Sequence, residues 1–436
     1  MNIETLYAHF KQSGETVTTD SRHCTAGSLF FALRGESFDG NAYAEAALRN
    51  GCLRAVVDNP AYAPQGDERY IVVDNVLEAL QQLAAYHRRQ WGKPILQITG
   101  TNGKTTTKEL TAAVLSQRYR VLYTEGNLNN HIGVPLTLLR LRPEHELAII
   151  ETGANHPGEI DALSRIVEAD YGLITNVGKA HLEGFGSFEG VIRTKTELYR
   201  YLAERKGNGI FVNGDNHWLT ERLPDLPVVV YGHAGSDANR FVEGEVLSCA
   251  PYLSFRWRKP GGGWHTVDSR LTGTYNLDNF LAAAAVGLHF GVSSQAVSEA
   301  LAAYVPSNNR SQLIDTGRNR LIVDAYNANP TSMMAALRSF RDLQVPEKML
   351  ILGDMRELGA DSDCEHRKII DFLLEAGFNK VWLVGPNFRA LAPREFRCFE
   401  QVDQVMDELR ANPVSGHFIL IKGSNGIRLY RLPDCL

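Results

Sequence analysis

The stretch 94-PILQITGTNGKTTTKEL-110 decides how the rest of the chain is read. An apolar run, ILQIT (95–99), ends in a glycine turn, and a segment carrying Lys, Glu and Leu follows. Strand, glycine turn and helix start, in that order, are what a phosphate-binding loop needs. The turn aims backbone N–H groups at phosphate oxygens, and the helix N-terminus adds its positive end. The general phosphate loop reads G-x-x-x-x-G-K-[ST]. Here Ile98 stands five residues before Gly103, so the loop is a shorter one that keeps the Gly-Lys-Thr ending. Gly100, Thr101, Asn102, Gly103, Lys104, Thr105 and Thr106 are the expected ATP-phosphate site. Lys104 would reach the β- and γ-phosphates, and the Thr105 hydroxyl would ligate Mg2+.

Outward from this loop, apolar runs recur: LAIIE (147–151), GLITN (172–176), LIVDA (321–325), MLILGD (349–354), VWLVG (381–385) and FILIKGS (418–424). Stretches with helical spacing separate them, the pattern of βα units whose parallel sheet is covered on both faces. The fold class is α/β. A length of 436 residues suggests about three domains. Breaks fall at 90-QWGKP-94 and at 304-YVPSNNR-310, where Pro, Gly, Ser and Asn interrupt helical patterns. They divide the chain into 1–90, 91–306 and 307–436. Between Arg205 and Leu271 the pattern turns β-like, and 260-PGGG-263 reads as the turn of a hairpin.

Composition removes several function classes. With 45 basic and 50 acidic residues and a net charge of −5, nothing points to a nucleic-acid groove or an anionic membrane surface. Six cysteines lie far apart with no C-x-x-C pair, which argues for reduced thiols rather than zinc or disulfides. No signal-like N-terminus and no membrane-length apolar run is seen; 281-LAAAAVGLHFGV-292 is too short. A cytoplasmic protein without membrane insertion, acting as a monomer, is expected.

A phosphate loop also needs an acidic residue at the end of a neighbouring strand to hold the metal, and LAIIE supplies Glu151 there. A carboxylate so placed among apolar residues is costly unless it is paired or binds a cation.

GTNGKTTT, NLNNHIGVPLTLL (127–139), ETGANHPGEI (151–160) and TNVGKAHLEGFGS (175–187) together resemble the Mur ligase family of ATP-dependent amide-forming enzymes. TDSR (19–22), GSLFFALRGESFDG (27–40), DAYNANP (324–330) and LGDMRELG (352–359) extend the resemblance over all three expected domains. It departs in two places. Tyr275 of 273-GTYNLDN-279 stands where the family often has histidine, and the acidic strand end reads E-T-G where E-M-G is commoner.

The resemblance implies an N-terminal domain for the UDP end of a substrate, a central phosphate-loop ATPase domain with a parallel sheet, and a C-terminal Rossmann-like domain. Within the family it points to the branch that joins D-alanyl-D-alanine to UDP-N-acetylmuramoyl-tripeptide through an acyl phosphate. Two Mg2+ ions are implied, the first on Thr105 and Glu151. His181 and Lys195 would serve the second, with Lys195 carbamylated, because an ammonium cannot ligate a cation whereas a carbamate offers oxygen. Asn276 and Asn279 are placed at adenine, Arg310 at phosphate and Asp324 at the ribose. Ser21 and Arg22 are implied at the uridine diphosphate and Asn127, Asn129 and Asn130 at the muramoyl group. Tyr326, Asn327 and Asn329 would meet the acceptor dipeptide, although N-A-N-P is equally an ordinary turn sequence.

Two rivals are weighed. A folylpolyglutamate-synthase-like ligase shares the ATP module but lacks the N-terminal uridine domain, against which the TDSR and LFFALRGESFDG segments speak. A nucleotide-switch ATPase would need less metal-binding equipment than Glu151, His181 and Lys195 provide.

Overall fold

The computed structural model describes residues 1–235, 239–306 and 310–436; residues 307–309, where the second expected boundary falls, lie outside the described residues. Three main sheets follow one another along the chain. The central one has nine strands, in the order His265–Thr272, Tyr252–Arg258, Val242–Cys249, Val228–His233, Gly209–Asn213, Tyr171–Ile174, Ile95–Thr99, Leu147–Glu151 and Val121–Tyr123. All neighbours are parallel except the last hairpin strands, Val242–Cys249 with Tyr252–Arg258 and the latter with His265–Thr272. The turn at 260–263 joins that final antiparallel pair, as its glycines predict.

Register decides where chemistry can happen. Ile98 pairs with Glu151, and Ile174 pairs with Thr99, so three adjacent parallel strands end side by side. Gly100, Glu151 and Thr175 therefore emerge at one edge, the carboxyl end of the sheet, where open α/β sheets bind ligands. The five residues of Ile95–Thr99 are all buried, which is why their run is continuously apolar apart from Gln97. Gln97 donates through Nε2 to the Thr152 and Ser164 hydroxyls at 3.0 and 2.9 Å, while its Oε1 is buried without a partner.

The helix Lys104–Leu115 springs from the loop and packs on the alanine-rich helix Leu277–His289. At Gly287 a Cβ would lie 2.3 Å from Val114 Cγ1, so the two backbones approach to a distance only glycine permits. That packing carries Asn276 and Asn279, at the start of the second helix, to the loop.

The first domain has a small parallel sheet, Val17–Thr18, Leu29–Phe31, Arg54–Val57 and Tyr70–Val72. Its helix Val76–Trp91 lies on helices Gly133–Leu138 and Glu159–Val167 of the central domain. The buried Arg88 ion-pairs with the partly exposed Asp170 at 2.7 Å across that contact. The third sheet runs Gln312–Asp315, Arg320–Asp324, Phe418–Lys422, Lys348–Gly353, Val381–Val384 and Arg397–Phe399, parallel except for its first strand. Asp324 pairs in register with Lys422, so this sheet too presents charged residues at its carboxyl edge. No helix among the described residues is long and apolar enough to cross a membrane, and the six cysteines are free.

Candidate active site

A cavity of about 830 Å³ opens where the two carboxyl edges face each other. The phosphate loop forms its floor. Gly100 has φ +142°, and a Cβ there would lie 2.0 Å from Thr175 Oγ1; Gly103 has φ +78°, and its Cβ would lie 2.4 Å from Asn279 Oδ1. Both glycines are thus required twice over, by backbone conformation and by close approach. Ile98, in the place of the general motif's first glycine, is simply the interior of a strand.

The loop is braced from the side. Thr101 N–H donates to Asn176 O at 2.9 Å, Asn102 N–H to Asn176 Oδ1 at 3.0 Å, and Thr175 Oγ1 to Asn102 O at 2.6 Å. Lys104 Nζ folds back on the carbonyls of Gly100 and Thr101, at 2.9 and 3.1 Å. Desolvation pulls its ammonium down to about 8, with Glu151 opposing that shift. Asn279 accepts from Thr107 Oγ1 at 3.0 Å and donates to Asn276 Oδ1 at 2.8 Å, while Asn276 donates to Thr272 O at 2.7 Å. These two amides line the cavity but are also the joint between the loop helix and its neighbour.

Glu151 is 1% exposed. Its Oε1 accepts from Thr105 Oγ1 at 3.2 Å and from Asn129 Nδ2 at 2.8 Å, whereas Oε2 is buried without a hydrogen-bond partner. A carboxylate with one orphaned oxygen beside a hydroxyl is a hard-oxygen donor set, and these residues fit a Mg2+ ion. The second pair differs. His181 lines the cavity and its Nδ1 meets the Glu357 carboxylate of the third domain. Lys195 is 2% exposed, lies over the Phe185 ring at 5.4 Å, and donates to Ala154 O at 3.5 Å. Burial, and then the Lys104 charge, pull its ammonium down to about 7. An unmodified lysine cannot complete an ion site with His181. Among the described residues no three His, Cys, Asp or Glu side chains converge as a metal cage.

Across the cavity, Arg310 lays its guanidinium 3.9 Å from the Tyr326 ring centre, and its Nε is buried without a partner. Asp324 is ion-paired to Lys422, which is 1% exposed. Asn329 caps the helix Pro330–Asp342 through Ser332 N at 2.9 Å and donates to Asn102 Oδ1 at 2.7 Å. Asn102 and Asn329 thus join the phosphate loop directly to the third domain. Lys179–Glu365, at 2.8 Å, and Lys179 N–H donating to Thr331 Oγ1 at 3.0 Å extend the seam.

The cavity therefore gathers Thr101 to Lys104, Thr106, Asn127, Asn129, Asn130, Glu151, His181, Asn276, Asn279, Arg310, Asp324, Tyr326, Asn327 and Asn329. Gly100, Thr105 and Lys195 do not line it but contact residues that do, Lys104, Glu151 and Ala154. Ser21 and Arg22 do not reach it: Arg22 is exposed and paired with Asp20, and the Ser21 carbonyl accepts from Asn50. Asn130 also caps, accepting from the N–H groups of Ile132 and Gly133. Tyr275 lines the cavity with its hydroxyl 2.9 Å from Ser311 Oγ. Sequence reasoning passed over Asn176, Lys179, Lys422 and Lys108. A lysine one helical turn after the Gly-Lys-Thr lysine was the available signal for Lys108; the others become visible only once strands are placed in register.

Comparisons with known proteins agree with this layout. The Mur ligase middle domain matches residues 98–287, the Mur ligase glutamate ligase domain 309–425 and the Mur ligase family catalytic domain 15–88. The chain belongs to the Mur ligase family, whose members are ATP-dependent, amide-forming ligases. The Escherichia coli UDP-N-acetylmuramoyl-tripeptide--D-alanyl-D-alanine ligase is 37% identical, over 87% of this chain and 83% of its own. A crystal structure of MurF from Acinetobacter baumannii superposes with TM-score 0.86 at 32% identity, covering 96% and 92% of the two chains. The Thermotoga maritima MurF ligase, solved in complex with ADP, has the same fold, with TM-score 0.84 at 23% identity over 96% of each chain.

Proposed function

We propose that this protein joins D-alanyl-D-alanine to UDP-N-acetylmuramoyl-tripeptide at the expense of ATP, giving the UDP-N-acetylmuramoyl-pentapeptide of peptidoglycan precursor synthesis. The observation that carries this reading is the single cavity, lined at once by the phosphate loop, by Gln81 of the first domain and by Arg310 and Tyr326 of the third. A ligase with three substrates needs such a meeting point. Its nucleotide-linked substrates are soluble, so the reaction is assigned to the cytoplasm, and the chain is taken to act as a monomer.

The tripeptide carboxylate attacks the γ-phosphorus of ATP, forming an acyl phosphate and ADP. The amine of D-alanyl-D-alanine then adds to that carbonyl, and the tetrahedral intermediate collapses to the amide and inorganic phosphate. Two anions must meet in the first step, so cationic groups carry the catalysis. Lys104 exchanges its loop carbonyls for phosphate oxygens. Arg310, with its guanidinium over the Tyr326 ring and its Nε unpartnered, brings a second positive charge to the cavity. Mg2+ bound by Thr105 and Glu151 would shield the phosphate oxygens. A second ion would be held by His181 and a carbamylated Lys195.

The Lys195 reading follows from reactivity. CO2 adds to a neutral amine, and an amine drawn down to about 7 is substantially neutral at cytoplasmic pH. A carbon-13 carbamate resonance from protein kept in labelled bicarbonate, absent in Lys195→Met, is the expected result. For the reaction itself, phosphate release should require both UDP-N-acetylmuramoyl-tripeptide and D-alanyl-D-alanine, with the pentapeptide found by mass. Rapid ATP hydrolysis with neither present would support a nucleotide switch instead.

A further inference from the structure

Lys108 lies one helical turn beyond Lys104, so the two ammonium groups rise from the same face of the loop helix. It is 1% exposed, and its Nζ donates to Thr124 O at 2.6 Å. Two carboxylates lie just outside hydrogen-bond range, Glu109 at 3.7 Å and Glu151 Oε2 at 3.9 Å. The same Thr124 accepts the Glu151 N–H through Oγ1 at 2.9 Å. Glu151 is therefore enclosed by donors: Thr105 and Asn129 on one oxygen, the Lys108 charge beside the other. Burying an ammonium is expensive, and an apolar side chain of the same length would fill this space more cheaply. Its charge calls for a use.

We infer that Lys108 is a positioning residue, a built-in counter-ion that keeps the Glu151 carboxylate aimed and weakens its hold on a lone divalent cation. The metal then enters as its nucleotide complex. This rests on the reading of Thr105 and Glu151 as metal ligands. Without nucleotide, the Glu151 carboxylate lies between the charge of Lys108, which Glu109 shares, and that of Lys104. Each ammonium a few Å from a dication repels it by several times thermal energy, even at an effective dielectric constant of about 20, and so offsets much of the carboxylate's attraction. The triphosphate brings the negative charge that tips this balance towards binding. Lys104 moves to the phosphates, and Lys108 stays behind to hold the carboxylate in place.

Mn2+ is the probe, with the free ion counted by electron paramagnetic resonance. The wild-type protein should bind it tightly with ADP and negligibly alone. Lys108→Met should bind Mn2+ without nucleotide at least about tenfold tighter than wild type, and Lys108→Arg should remain blind to it. Equal affinities of Lys108→Met and wild type without nucleotide would overturn the inference, as would wild-type binding of Mn2+ alone as tight as with ADP. Failure of wild type to bind Mn2+ even with ADP would instead overturn the Thr105 and Glu151 assignment, and the counter-ion role with it. Should Lys108→Met not fold, Glu109→Gln replaces it, because it leaves the ammonium to Glu151. Mn2+ binding with ADP should then weaken several-fold, and an unchanged affinity would overturn the role.

Discussion

The two walls of the cavity are built on different plans. On the phosphate-loop wall, Glu151, Lys108 and Lys195 are almost wholly buried; Glu151 is set by the register of the central sheet, Lys108 by the helix that leaves the loop and Lys195 by the end of the helix Phe188–Lys195. On the opposite wall, Arg310, Asp324, Tyr326 and Asn329 belong to another domain and meet the loop across a seam of polar contacts that includes Asn102–Asn329, Lys179–Glu365 and His181–Glu357. The first wall is fixed by a single fold. The second is correctly placed only when two domains dock, so its contribution depends on a modest set of polar contacts.

That contrast predicts graded losses. Lys104→Ala should remove turnover almost entirely, by roughly a thousandfold or more, because its charge acts where negative charge develops. Steady-state kinetics and a melting curve together check this, and an unchanged melting temperature is expected. Retention of most activity would break the assignment of the whole wall.

Lys195→Met should also abolish turnover, yet stabilise the unliganded protein. The folded-state value near 7 lies below the ordinary 10.5, so between them the unfolded chain holds more protons than the folded one. Stability from this group therefore rises with pH from about 7 towards 10.5, and it is lowest below about 7. Lys195→Met should melt above wild type near pH 6.5 and converge with it near pH 10. Parallel curves would mean that Lys195 is not buried as an unpaired amine.

Weakening the seam sharpens the comparison from the other side. Glu365→Ala removes an interdomain ion pair whose lysine is partly exposed, so the effect on folding should be small. The KM for the acceptor should rise several-fold, while ADP binding stays near wild type. Smaller still at the phosphate-loop wall should be Arg22→Ala. The resemblance expects Arg22 at the uridine diphosphate and it lies away from the cavity, so binding of the UDP-linked substrate should weaken while ADP affinity stays unchanged in the same titration.

Legibility followed the same division. The runs around Ile95–Thr99 and Leu147–Glu151 announced buried parallel strands, and GTNGKTTT announced its loop, because strand, turn and helix are contiguous there. Three- and four-residue strands such as Leu29–Phe31 and Arg54–Val57 left no comparable pattern, and the first domain's sheet went unread. Asn276 and Asn279 were placed at adenine from resemblance; the structure adds that both amides brace the loop helix, a role decided by the close packing at Gly287. Lys422 was invisible for another reason. Its partner Asp324 lies 98 residues away, and only the register of two adjacent strands brings them together.

The central claim is that ATP activates the tripeptide carboxylate by direct phosphorylation. Tripeptide substrate labelled with oxygen-18 in its terminal carboxylate tests it most directly, with the released phosphate analysed by mass during a turnover that consumes D-alanyl-D-alanine. The account predicts one carboxylate oxygen in each phosphate formed. Phosphate free of label, alongside amide product, would contradict it.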